Sequence, residues 1–183
     1  MNNIFAYRLN KLLLKNKSDE IYIYCIGSNN TTGDALGPLV GSILKKCIIS
    51  RKINIIGDYN NPLTYKKMLE LNIVKKTNIY IDSALGNLLD IGKIIVNKKQ
   101  IIPGKALNKQ YITLKSGISI KAIVGENKQN SILNIMELNK ISYEYIKDFA
   151  YFLSENIYKT IKNFEQLGKK RKKSIYKEIW WEE

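Results

Sequence analysis

Ile21-Tyr22-Ile23-Tyr24-Cys25-Ile26-Gly27-Ser28-Asn29-Asn30-Thr31-Thr32-Gly33-Asp34-Ala35-Leu36-Gly37-Pro38-Leu39-Val40-Gly41 is the stretch that decides the fold. Its first six residues are an apolar, aromatic and β-branched run of strand length, and they open into a glycine-rich loop holding a single carboxylate, Asp34. A second strand, Asn78-Ile79-Tyr80-Ile81, ends in Asp82-Ser83-Ala84-Leu85-Gly86, so a second acid falls at the matching point. The carboxyl ends of strands are where open α/β sheets carry their chemistry.

Working outward, strands and helices alternate. Residues 4–16 read as an amphipathic helix, 21–26 as the first strand, and Ala35 to Ile49 as a helix with Asp34 as its natural N-cap. A short strand at 53–56, a helix from Pro62 to Val74 and a strand at 78–81 follow. Asp90 to Val96 reads as a fourth strand, Pro103-Gly104 as a loop leading toward Asn108 and Leu114, and Gly117 to Gly125 as a fifth strand. Helices at Ser131 to Asn139 and Ser142 to Phe164 close the chain. This order predicts one domain over 1–183, a three-layer α/β/α sandwich with a mainly parallel sheet. Its core is expected over about 20–165, with a basic tail over about 167–183.

Composition narrows the function classes. The chain has 183 residues and no histidine, which removes Ser-His-Asp and Cys-His catalysis, histidine metal sites and zinc metalloprotease motifs together. The expected cofactor is none, and no resident metal is expected. No apolar run approaches the roughly 20 residues that span a bilayer, and Met1-Asn2-Asn3-Ile4-Phe5 lacks the cationic and apolar regions of a signal peptide. A cytoplasmic location and no membrane partner are expected. Cys25 and Cys47 both read as core thiols. The net charge of +14 invites a nucleic acid or an acidic partner. Arginine, the better base reader, stands only at positions 8, 51 and 171, and the lysines are scattered except in Lys169-Lys170-Arg171-Lys172-Lys173. Nucleic-acid binding is therefore a weak expectation, carried chiefly by that run.

The glycine-rich loop is not a familiar phosphate cradle. Asp34 follows Gly33 where a P-loop needs lysine, and the spacing of Gly27, Gly33 and Gly37 does not fit a dinucleotide fingerprint. The glycines instead let the backbone bend so that Asp34 faces the end of the sheet. Taken singly, Asp34 could be a helix cap and Asp82 a turn residue. Taken together, with strands 21–26 and 78–81 side by side, they project over one crevice as solvent-facing acids. Two such carboxylates resist joint ionisation, so one can hold a proton while the other activates water. The same pair can also bind a divalent cation through oxygen.

Four ordered segments, IGSNNTTGDALGPLVG at 26–41, IDSALG at 81–86, PGKAL at 103–107 and GISIKAIVG at 117–125, resemble the YyaC-type sporulation proteins, relatives of the spore germination proteases. The resemblance covers about residues 20–155 and implies a phosphorylase/hydrolase-like sandwich shared with hydrogenase maturation endopeptidases. It implies an atypical aspartic endopeptidase with Asp34 and Asp82 as catalytic residues, as in germination proteases, which degrade small acid-soluble spore proteins; on an endopeptidase reading of this chain those proteins are the expected substrate, and Gly33, Ser83 and backbone amides would position the peptide carbonyl. The forespore or spore core would then be the location. Hydrogenase maturation relatives use acids and a histidine around nickel, and this chain offers no histidine. Other implied partners are a second copy of the chain or, if the fold is kept without proteolysis, an acidic partner or spore DNA.

Overall fold

The computed structural model describes residues 2–16, 18, 20–98 and 117–179, with the helical backbone alone for 2–3 and 168–179. Five strands form one sheet: β1 (Ile21–Cys25), β2 (Ile53–Ile56), β3 (Thr77–Gly86), β4 (Ile94–Asn97) and β5 (Ile118–Glu126), in the order β2-β1-β3-β5-β4. All neighbouring pairs are parallel except β4 with β5. As expected, β1 lies beside β3, with Ile21 opposite Thr77 and Cys25 opposite Ile81. The chain leaves β1 toward β2 on one side and returns to β3 on the other, which makes the β1/β3 boundary the switch point of the sheet.

Alternation along the strands builds two unequal cores. Ile21, Ile23 and Cys25 of β1, Ile79 and Ile81 of β3, and Ile118, Ile120, Ala122 and Val124 of β5 meet α1 (Asn2–Leu14), α2 (Leu36–Cys47) and α5 (Tyr143–Ile179) on one face. Leu9, Leu13, Leu36, Leu44, Leu153 and Ile157 close that layer completely from solvent. Each such side chain contributes on the order of 1.5–3 kcal/mol by leaving water. On the other face Tyr24, Ile26 and Tyr80 pack with Leu63 and with Met68 of the short helix α3 (Tyr65–Glu70). The Tyr24 and Tyr80 rings stack at 5.1 Å. The helix between β5 and α5, α4 (Ser131–Lys140), packs on β5 and on the turn that follows β1.

Several elements depart from the sequence expectation for identifiable reasons. The Pro62–Val74 helix shrinks to α3, capped by Thr64, because Leu71 turns extended and the Asn72-Ile73-Val74 run has poor helix propensity. β3 does not stop at Ile81 but runs to Gly86, since β5 extends alongside and supplies the ladder. The fourth strand begins only at Ile94, after a turn through Gly92 at φ +86°. α5 continues through the basic run that was expected to lie in a tail, because lysine, arginine and glutamate favour helix and Gly168 alone costs only about 1 kcal/mol. Cys25 is buried as expected, whereas Cys47 at the last position of α2 is exposed. The Pro103-Gly104 loop, Asn108, Leu114 and the PGKAL stretch lie outside the described residues.

Candidate functional site

The acid-bearing turn after β1 is held by backbone geometry. Gly27 takes φ +145°, and a Cβ there would stand 2.1 Å from the Asp34 carbonyl oxygen. That carbonyl accepts the Ser28 N–H at 3.1 Å, and the Asp34 N–H donates to the Thr31 carbonyl at 3.0 Å. A Cβ at Gly37 would stand 2.0 Å from the Ile26 carbonyl oxygen, so the strand exit and the start of α2 approach as closely as backbone allows. Asp34 sits inside a short 3-10 turn, Thr32–Ala35, and the cap position of α2 is Ala35. The expected N-cap role of Asp34 is therefore not what the fold uses.

Asp82 occupies the first position of β3 beyond its last β1 partner, Ile81. Its β5 partner is Lys121, and a register shift between Ala84 and Leu85 follows at once. Bulges of this kind commonly re-aim side chains beside functional sites. The turn carrying Asp34 packs against β3, so the acids from two neighbouring strand ends converge on the switch point. Asp82 is not the solvent-facing acid expected from sequence. The residue is half-buried, and its carboxyl is so enclosed that burial, with the negative charge of Asp34 added, pushes it from 3.8 up to about 8. Lys121 and the Ser83 amide, which donates to the carboxyl, pull the other way without cancelling the effect.

The remaining expected site residues have occupations of their own. Gly33 is buried beneath α4: a Cβ there would meet Leu138 Cδ2 at 2.7 Å and Ile141 Cδ1 at 2.8 Å. Its lack of a side chain is a packing requirement. The Ser83 N–H is engaged with Asp82, and strand alternation turns the Ser83 side chain to the opposite sheet face.

Two residues near this edge were not singled out from sequence. Lys121 was missed because a lone lysine in a strand reads as surface; its signal was its place between apolar neighbours in Ile118-Ser119-Ile120-Lys121-Ala122-Ile123-Val124. Asp58, beyond β2, is a third acid at the same end of the sheet. It is taken up structurally, pairing with Lys45 and accepting the Asn60 and Asn61 amides at 2.9 and 2.8 Å, which holds it below the usual carboxylate range.

The donor set does not fit a resident metal. Among the described residues a divalent cation would find only two carboxylates, Asp34 and Asp82, fewer oxygen ligands than such ions take, with Lys121 in register beside Asp82. Among the described residues no three His, Cys, Asp or Glu side chains cluster to hold one. Among the same residues no helix is long and apolar enough to cross a membrane.

Comparisons with known proteins agree with this architecture. The [NiFe] hydrogenase maturation protease HycI from Thermococcus kodakarensis KOD1 superposes with a TM-score of 0.58 over 84% of this chain and 98% of that one, at 20% identity. The hydrogenase maturating endopeptidase HybD from E. coli gives a TM-score of 0.44 over 70% of this chain and 88% of its own, at 12% identity. At its identity the first likeness establishes a shared fold. The uncharacterized protein YyaC of Bacillus subtilis (strain 168) is 30% identical over 107 residues, 55% of this chain and 52% of that protein, so the match spans about half of that relative. The model of the family described as "Protein of unknown function (DUF1256)" matches residues 1–158. The chain, with its paired strand-end acids on a mainly parallel sheet, belongs to the DUF1256 family.

Proposed function

We propose that this protein is a peptide hydrolase in which Asp34 is the general base and Asp82 the acid, acting as an aspartate-dependent endopeptidase of sporulating cells. The observation that carries the reading is the Asp82 carboxyl, raised to about 8 at the switch point with Asp34 as one of its causes. At neutral pH one acid of the pair holds a proton and the other a charge, the division of labour that acid–base hydrolysis needs. Asp34 takes a proton from a water molecule, whose oxygen bonds to the peptide carbonyl carbon. Asp82 gives its proton to the departing amide nitrogen as the C–N bond breaks. Return of the Asp34 proton to Asp82 through solvent restores the pair. Leu88 and Leu89, strongly exposed just after β3, offer apolar surface at the carboxyl end of that strand.

The fold shared with hydrogenase maturation proteases supports a protein substrate in general. The resemblance to germination proteases suggests small acid-soluble spore proteins and a forespore location. The test is incubation of the purified chain with such a protein, alongside Asp34→Asn and Asp82→Asn. Cleavage by the wild type, lost in both variants, is expected; an inert wild type refutes the reading. The net charge of +14 favours a second reading, a non-proteolytic factor of the same fold that binds an acidic partner or spore DNA. Tight, salt-sensitive DNA binding without cleavage would select it.

A further inference from the structure

β5 is buried along nearly its whole length, and Lys121 interrupts it. Ile120 and Ala122 on either side are fully buried, so the backbone leaves Lys121 no freedom to move away from its ladder partners, Asp82 on β3 and Ile95 on β4. Residues opposite one another in a ladder share a face, which puts the Lys121 side chain on the Asp82 side. A half-buried ammonium is costly unless a partner repays it. A permanently ionised carboxylate would be the ordinary structural solution, yet Asp82 is largely protonated at neutral pH.

We propose that Lys121 is the positioning residue of this site: its ammonium, held opposite Asp82 across the β3–β5 ladder, keeps the Asp82 proton transferable to the substrate. The inference rests on the reading of Asp82 as the proton donor. Burial and Asp34 both drive Asp82 toward permanent protonation, and a carboxyl that never gives up its proton cannot serve as an acid. Lys121 is the opposing cation, and the Ser83 amide helps from the same strand. The other groups nearby do not compete. Tyr80, two residues earlier on the same face, is pushed up to about 12 and stays neutral, and Glu137 of α4 accepts the Glu126 amide at 3.2 Å.

The experiment follows the Asp82 carboxyl directly by carbon-13 NMR of protein labelled at the aspartate carboxyl carbons, with D82N identifying the resonance. K121M is expected to raise the titration midpoint by about one to three pH units, and K121R to restore it, because the charge and not the packing is what acts. K121Q carries the same test should K121M fold poorly. A midpoint in the neutral variants equal to that of the wild type overturns the proposal. Peptide cleavage measured against pH separates this inference from the hydrolase reading. Its alkaline limb should move with the midpoint; a midpoint shifted in the neutral variants while the wild type cleaves nothing refutes the hydrolase reading alone, and cleavage by the wild type with the variants' midpoint unmoved refutes the role of Lys121.

Discussion

Replacing Asp82 with Asn tests the electrostatics of the site without a substrate. An acid whose folded pKa exceeds its unfolded value binds more protons folded than unfolded, so stability falls as pH rises between the two. For Asp82 that window runs from 3.8 to about 8. Inside it the slope approaches the limit for one proton, on the order of 2 kcal/mol between pH 5 and pH 7 once the partial exposure of the residue is allowed for. Asp58 and Asp90, both held below the ordinary value, work in the opposite sense. Their stabilisation is complete above the unfolded carboxylate pKa and is lost only as pH falls through the folded one, so it is flat above pH 5. Asparagine copies the shape of the protonated acid and removes its titration. Urea midpoints measured at constant salt from pH 5 to 7.5 should therefore fall for the wild type and stay nearly level for D82N, which should be the more stable protein at pH 7. Parallel curves for the two proteins would refute the burial and coupling assigned to Asp82.

Asp34→Asn should lower the Asp82 titration midpoint only in part, because burial is the larger cause; carboxyl NMR checks this, and an unchanged midpoint would separate the two acids. Gly27→Ala should cost at least about 3 kcal/mol, since the φ of +145° is foreign to alanine and its Cβ would press on the Asp34 carbonyl, as thermal melts would show. Cys47 should react with a chromogenic disulfide in the native protein while Cys25, buried and pushed up to about 12, reacts only after unfolding; two fast thiols would contradict the packing. Association with DNA or with an acidic spore protein should weaken as salt shortens the Debye length to about 8 Å, and more weakly still once the residues after Gln166 are removed; binding insensitive to both would deny the basic run a role.

The sheet was legible because its signals are local. β-branched and aromatic runs of strand length, broken by glycine and interleaved with helical periodicity, announce parallel strands whichever way the rest of the chain folds, and β1, β2 and β5 stand within a residue or so of where those runs lie. Asp34 and Asp82 were legible as a pair for the same reason, since each follows a buried strand. Element ends were not: β3 outruns its apolar run because β5 pairs with it, and α3 stops where tertiary packing draws Leu71 into extended backbone. The charge state of Asp82 and the part played by Lys121 were also out of reach. Both depend on which residues lie opposite one another across the ladder and on how much water remains between them.

By itself, the sequence determined a mainly parallel α/β sandwich, the switch point between strands 21–26 and 78–81, and two acids delivered to it, because hydrophobic period and glycine placement act over a few neighbouring residues. Only the tertiary structure decided that one of those acids is enclosed and protonated near neutrality and that a lysine 39 positions further along the chain stands across from it. Desolvation and charge–charge coupling depend on distances through space, and the register of β3 against β5 is what sets them.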